Sequence, residues 1–249
     1  MKSAFVVEFL GLPGSGKSYI ADLIKGELRA RGVRAISPGA TVTRRPACIR
    51  VPLKFILALL FTALHPIRGW KAVDKIRRMR QASPGDYASA LMNLLFVLGV
   101  YYRYRRRPVV LLFDQGFAQG LVTILYAADN RIRHGLISWL PRPDMEVEVE
   151  ASRELVAQRL GARGRPEGEA RQSRVESDSP AALQAALSRT AAAITTVKLT
   201  PWYWEIPAIE HVSAESSGPE SEARLAAHID EIVDRIASAW ETRDGDWRR

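Results

Sequence analysis

Eight residues near the start of the chain, Gly11-Leu12-Pro13-Gly14-Ser15-Gly16-Lys17-Ser18, fill the pattern G-x-x-x-x-G-K-[ST] completely. Glycines at those positions let successive backbone N–H groups turn inward around a phosphate at the positive end of a following helix. In such a loop Lys17 reaches the β- and γ-phosphates of a nucleoside triphosphate, and the Ser18 hydroxyl is an oxygen ligand for Mg2+. ATP and Mg2+ are therefore the expected cofactors. The expected nucleotide contacts are Gly11, Pro13, Gly14, Ser15, Gly16, Lys17, Ser18 and Tyr19.

A second candidate is Asp114, which ends the apolar run Val109-Val110-Leu111-Leu112-Phe113. An acid at the C-terminal tip of a buried strand lies on the ligand edge of a parallel sheet, where it can hold Mg2+ beside Ser18 or position an acceptor. Gln115 and Gly116 follow it as neighbours of that acceptor. A third element is the arginine series Arg159, Arg163, Arg165, Arg171 and Arg174, in and after a predicted helix. Phosphoryl transfer spreads negative charge over the moving group, and arginines on a closing lid can meet that charge. Arg159 and Arg163, four apart on one helical face, are the expected catalytic pair alongside Lys17 and Asp114.

These residues need elements to hold them. Ala4–Leu10 reads as a strand, and Ile20, Leu23, Ile24 and Leu28 recur on one helical face up to Arg31, with Gly32 as the C-terminal stop. Val33–Ile36 is a short second strand, Val109–Asp114 a third and Met145–Glu150 a fourth, followed by a helix over Arg153–Leu160. Residues 161–179 are polar and supply no core, so they read as a lid. Ser179-Pro180 opens another helix; Ile206–Val212 is an edge strand because it contains Pro207; Glu220–Glu241 is the last helix. Strands alternating with helices predict an α/β fold with a five-stranded parallel sheet between helical layers, in one domain over 1–249. Glu8, Glu148 and Glu150 are charges within strands; with Asp114 as first choice, Glu8 and Glu150 are the other candidates for a general base.

The net charge of +9 is concentrated. Between Thr41 and Arg107 there are fourteen Lys or Arg against Asp74 and Asp86, a local excess of +12, so the remainder sums to −3. The same stretch reads as helical, with apolar pieces at Val51–Ile67 and Ala88–Tyr102 that are too short to span a bilayer. Such a segment fits an acceptor-binding helical subdomain or a homodimer face. Its joint apolar and basic character also fits peripheral contact with an anionic membrane and a lipid-linked or glycan acceptor. A nucleic-acid partner is not expected, because the segment is aliphatic and shows no known binding module. The single cysteine, Cys48, excludes an internal disulfide, and only Met-Lys-Ser precedes the first strand. The expected location is the cytoplasm, at the inner membrane face if the segment docks there.

With loop, strand-end acid and arginine segment in this order, the sequence resembles the P-loop kinases of the thymidylate kinase and nucleoside monophosphate kinase group. The resemblance implies a three-layer P-loop NTPase fold, Mg-ATP as phosphoryl donor, an acceptor bound in the helical region between strands two and three, and an arginine-bearing lid. Asp114 stands where thymidylate kinases have the Asp of Asp-Arg-Tyr, here followed by Gln115 and Gly116. Thr43-Arg44-Arg45-Pro46 stands at their Thr-Arg-Glu-Pro, and the loop around Ser213–Ser216 at their adenine contacts. The expected activity is ATP-dependent phosphorylation of a small-molecule acceptor. The competing class is a regulatory P-loop ATPase that switches a protein or membrane partner, and a lid favours transfer over switching because a kinase must exclude water.

Overall fold

The computed structural model describes residues 3–43, 45–128, 137–162, 180–214 and 219–243. Arg44, Arg163, Arg165, Arg171, Arg174 and Ser216, and all of the expected lid beyond Ala162, lie outside these residues. Five strands, β1 (Phe5–Leu10), β2 (Ala35–Ile36), β3 (Val110–Phe113), β4 (Met145–Glu150) and β5 (Ile209–Ser213), form one sheet in the order β2-β3-β1-β4-β5. Every pairing is parallel. The loop-bearing β1 is central, with Phe5 opposite Val110 on β3 and Val7 opposite Met145 on β4.

Period-two alternation divides each strand between two cores. Phe5, Val7, Phe9, Val110, Leu112, Val147 and Val149 pack on α1 (Lys17–Ala30) and α10 (Pro219–Thr242) through Ile20, Ile24, Leu28, Ile232 and Ile236. The opposite set, including Val6, Leu10, Leu111 and Phe113, faces a thicker layer. That layer contains α2 (Pro38–Thr43), α3 (Ala47–Leu64), α4 (Pro66–Arg78), α5 (Pro84–Tyr104), α6 (Phe117–Tyr126), α8 (Pro180–Lys198) and α9 (Pro201–Trp204). The helix α7 (Arg153–Ala162) rests against α8 through Val156, Leu160 and Leu187. The predicted three-layer α/β architecture with five parallel strands is the observed one.

Several predicted boundaries shift for identifiable reasons. The second strand is two residues rather than four because the Val33 N–H closes the end of α1 on the Leu28 carbonyl at 2.8 Å, with Gly32 at φ +76°. β5 begins at Ile209, beyond Pro207, and holds the predicted edge. The basic segment is helical as expected, its apolar pieces falling mainly in α3 and α5 with α4 between them. α3 crosses α5 closely at Gly99, where a Cβ would sit 3.3 Å from that of Phe61, and meets α4 at Gly69, where one would sit 2.7 Å from Thr62. At Gly69 a Cβ has no room, and at Gly99 it would be tight.

The helix α6 is an element that the sequence reading did not contain. Its stretch is apolar on most sides, burying Phe117, Ala118, Leu121, Val122, Ile124 and Leu125, and periodicity cannot separate such a run from a strand. Its N-terminal residue Gly116 offers no side-chain cap. Glu8, 111 residues from Gln119 in sequence, caps it instead by accepting the Gln119 N–H at 3.1 Å. This answers why a fully buried acid stands in the central strand. It also explains Gly116: a Cβ there would lie 2.4 Å from the Glu8 carboxyl carbon.

Candidate active site

The Gly-rich segment forms the turn between β1 and α1. Gly14 and Gly16 take φ values of +86° and +104°, a region that L side chains rarely adopt, and a Cβ on Gly11 would lie 2.4 Å from the Val149 carbonyl oxygen. The loop can therefore pass close to β4 and curl back only with glycine at these places. Pro13 and Gly14 make the turn, Ser15 is buried, and α1 begins at Lys17 with Gly16 as its first capping position. Lys17 Nζ donates to the carbonyls of Gly11 and Leu12 at 2.8 and 2.7 Å, so the ammonium folds back over the loop. Tyr19, one turn into α1, is largely exposed.

Asp114 lies just past the end of β3 and is buried. Ser18 Oγ donates to its carboxylate at 3.2 Å across 96 residues of sequence, and Gly39 of α2 packs on the other carboxylate oxygen. This is the ligand edge of the sheet, where adjacent β1 and β3 deliver their C-terminal residues. A hydroxyl and a carboxylate in contact are a donor set of hard oxygens, the type that Mg2+ prefers, so the residues present fit that ion.

Arg159, on α7, reaches the rim of the same loop. Its guanidinium donates to the Ser15 carbonyl at 3.3 Å and to the Ala214 carbonyl, just after β5, at 2.9 Å. The arginine thus ties the phosphate loop to the segment that follows the last strand. Arg163, its expected partner, is outside the described residues.

Lys54 brings a cation within the field of Asp114. Lys54 of α3 donates from Nζ to Asn93 Oδ1 of α5 at 2.9 Å and lies 5.3 Å from the centre of the Phe96 ring. Burial, then neighbouring Arg50, push the Lys54 pKa down, while Asp114 is close enough to pull it up. Arg50 and Lys54 are four residues apart on the inward stripe of α3, which continues through Leu57, Ala58 and Phe61. In the sequence Lys54 reads as an interruption of an apolar run. Paired with Arg50 at helical spacing, it was the signal for an inward cationic pair. Arg45 is exposed.

The remaining strand acids lie deeper. Glu8 and Glu146 are register partners on β1 and β4 and are both fully buried. Burial raises the Glu8 carboxyl to about 7, against the N–H groups of Gln119, Phe117 and Ala118 that favour its anion. Glu146 is pushed up to about 9 by burial and then by Glu8, against the Tyr203 hydroxyl, which favours its anion. Glu148 accepts hydrogen bonds from the Tyr203 hydroxyl and from Lys198 Nζ. Glu150 is exposed beside His211, 3.2 Å away. Glu148, Glu150 and His211 bring one ligand atom each within 4.8 Å of one another, but Lys198 already neutralises the buried member.

No family model matches the chain, and no curated protein does. Among solved structures, the chain is similar to a deoxyadenosine kinase from M. mycoides with the products dCMP and a flexible dCDP bound. That similarity has 13% sequence identity and a TM-score of 0.47, and covers 94% of this chain and 100% of that one.

Proposed function

We propose that this protein is a kinase that passes the γ-phosphoryl group of ATP to a hydroxyl of a small anionic or polar acceptor, nucleotide-like or a glycan- or lipid-linked metabolite. The observation that carries the reading is the 3.2 Å contact between Ser18 of the phosphate loop and Asp114 at the tip of the neighbouring strand, beside the Arg50–Lys54 face of α3. A bare phosphate-binding loop needs neither of the last two features.

The loop N–H groups and Lys17 hold the β- and γ-phosphates. Ser18 and Asp114 would hold Mg2+, which would offset the negative charge of the phosphates. The acceptor lies between Asp114 and α3, with Lys54 and Arg50 against its anionic group, and Asp114 orients the attacking hydroxyl. As the new P–O bond forms, the bond to the β-phosphate oxygen breaks and the hydroxyl proton passes to Asp114 or to water. Arg159 fixes the loop against the segment after β5.

The test is ATP turnover with nucleoside monophosphates, nucleosides, sugars and lipid-linked glycans offered in turn. One class should raise turnover and appear phosphorylated, and Lys17→Ala should lower that rate by roughly a thousandfold at unchanged melting temperature. Full activity in that variant would sink the mechanism. Turnover raised by a protein partner and by no small acceptor would instead assign the chain to the regulatory ATPases.

A further inference from the structure

The exposed face of α3 runs into that of α4 as one apolar surface. Ile49, Val51, Phe55, Ile56, Leu59, Leu60 and Leu64 are all exposed, and Ile67 and Trp70 continue the patch at 74% and 70% exposure. Scattered apolar residues are normal on a protein surface, but a contiguous strip over two helices marks an interaction site. From Cys48 to Ile67 no charged side chain stands among the exposed positions. The charges of α3 are on its other side, where Arg50 and Lys54 face the Asp114 edge.

What surrounds the strip narrows its partner. Lys71, Arg77 and Arg78 are exposed on α4, and Arg103, Arg106 and Arg107 at the end of α5. Arg68 and Arg105 both lie over the Tyr102 ring, 4.4 and 4.5 Å from its centre, next to His65 at the α3–α4 corner. The two acids of the segment are engaged locally, Asp74 with Arg78 and Asp86 with Ser83. A twofold pairing of this face with itself would set one basic rim against another. An anionic lipid surface presents the opposite charge to the rim and an apolar layer to the strip, and Trp70 is a residue type that settles at such interfaces. No single described helix is long and apolar enough to cross a bilayer; α3 and α4 pass that test only as a pair bent by 118°. That bend suits helices lying along a surface.

We infer that the α3–α4 face docks on an anionic lipid bilayer, with Ile56, Leu60, Ile67 and Trp70 entering the interface and the basic rim on the headgroups. Docking places the opposite, cationic side of α3, and with it the Asp114 edge, directly above the lipid.

The experiment is co-sedimentation of the full chain with phosphatidylglycerol–phosphatidylcholine vesicles and with pure phosphatidylcholine vesicles, at low and high salt. The expected result is binding to the anionic vesicles that weakens with salt. Ile56→Glu combined with Leu60→Glu should lower the partition coefficient at least about a hundredfold with unchanged circular dichroism. Lys71→Gln with Arg77→Gln, which disturbs no buried atom, should lower it roughly tenfold and flatten the salt dependence. A wild-type chain that stays in solution with both vesicles overturns the inference, as does a charge-inserted variant that binds equally well. A concentration-dependent dimer that the same variant dissociates, without vesicle binding, assigns the face to a second copy. Binding of a fluorescent ATP analogue is read in parallel, so a failed nucleotide site and a failed membrane face give different results.

Discussion

Asp114 and Glu146 are both buried carboxylates on adjacent regions of one parallel sheet, yet their surroundings differ in kind. Asp114 stands one residue beyond a strand end, beside a hydroxyl from the phosphate loop and within the field of Lys54. Glu146 stands in mid-strand opposite Glu8, another buried acid, with a pKa pushed up to about 9. At the edge, helix termini, loop N–H groups and entering ligands can balance a negative charge. In mid-strand, burial and the neighbouring Glu8 favour the protonated form of Glu146. The contrast separates an acid whose surroundings fit the proposed transfer from acids that are tolerated because they remain neutral or cap a buried helix end.

The sharpest way to break this contrast is to remove one charge from each site. Asp114→Asn should lower phosphoryl transfer by about a hundredfold to a thousandfold while the melting temperature hardly moves, since an amide oxygen can still accept from Ser18. Near-normal turnover in that variant would make Asp114 merely structural. The next effect belongs to the helix cap. Gly116→Ala puts a methyl carbon where the Glu8 carboxyl already is, and a denaturant titration should show a loss of about 2–4 kcal/mol. If stability is unchanged, Glu8 does not hold α6.

The smallest effect carries a pH signature. Glu8 and Glu146 have folded-state pKa values raised from 4.5 to about 7 and about 9, so above pH 4.5 the folded chain binds more protons at these sites than the unfolded chain. Their contribution to stability is full below pH 4.5 and declines as pH rises through about 7 and then about 9. Glu146→Gln removes the upper part of this loss. It should be nearly neutral at pH 5 and increasingly stabilising as pH rises to 9, read from thermal unfolding across that range. An equal gain at both pH values would mean that Glu146 is not the titrating group.

α3 shows how far a linear reading could go. Its apolar content and its flanking basic residues were legible, and so was Lys54 as an exception within the run. Which stripe faced the sheet was not. A helix that is apolar nearly all round gives no phase by itself, and its orientation follows only once Gly99 and Gly69 let α5 and α4 approach it. The cationic pair and the bare apolar strip then fall on opposite sides.

The amino-acid sequence alone determined the phosphate loop, because its function depends on glycine conformations and a following helix contained in eight consecutive residues. It also determined the alternation of strands and helices, the parallel sheet and the position of Asp114 at a strand end, since periodicity and turn chemistry are local. Only the tertiary structure decided that Ser18 meets Asp114, that Glu8 caps α6, that Arg159 ties the loop to Ala214 and that Arg50 and Lys54 face the site. Each of these joins residues that are distant in the chain or depends on which side of a helix is covered. Such contacts exist only after the layers have packed, so no local pattern encodes them.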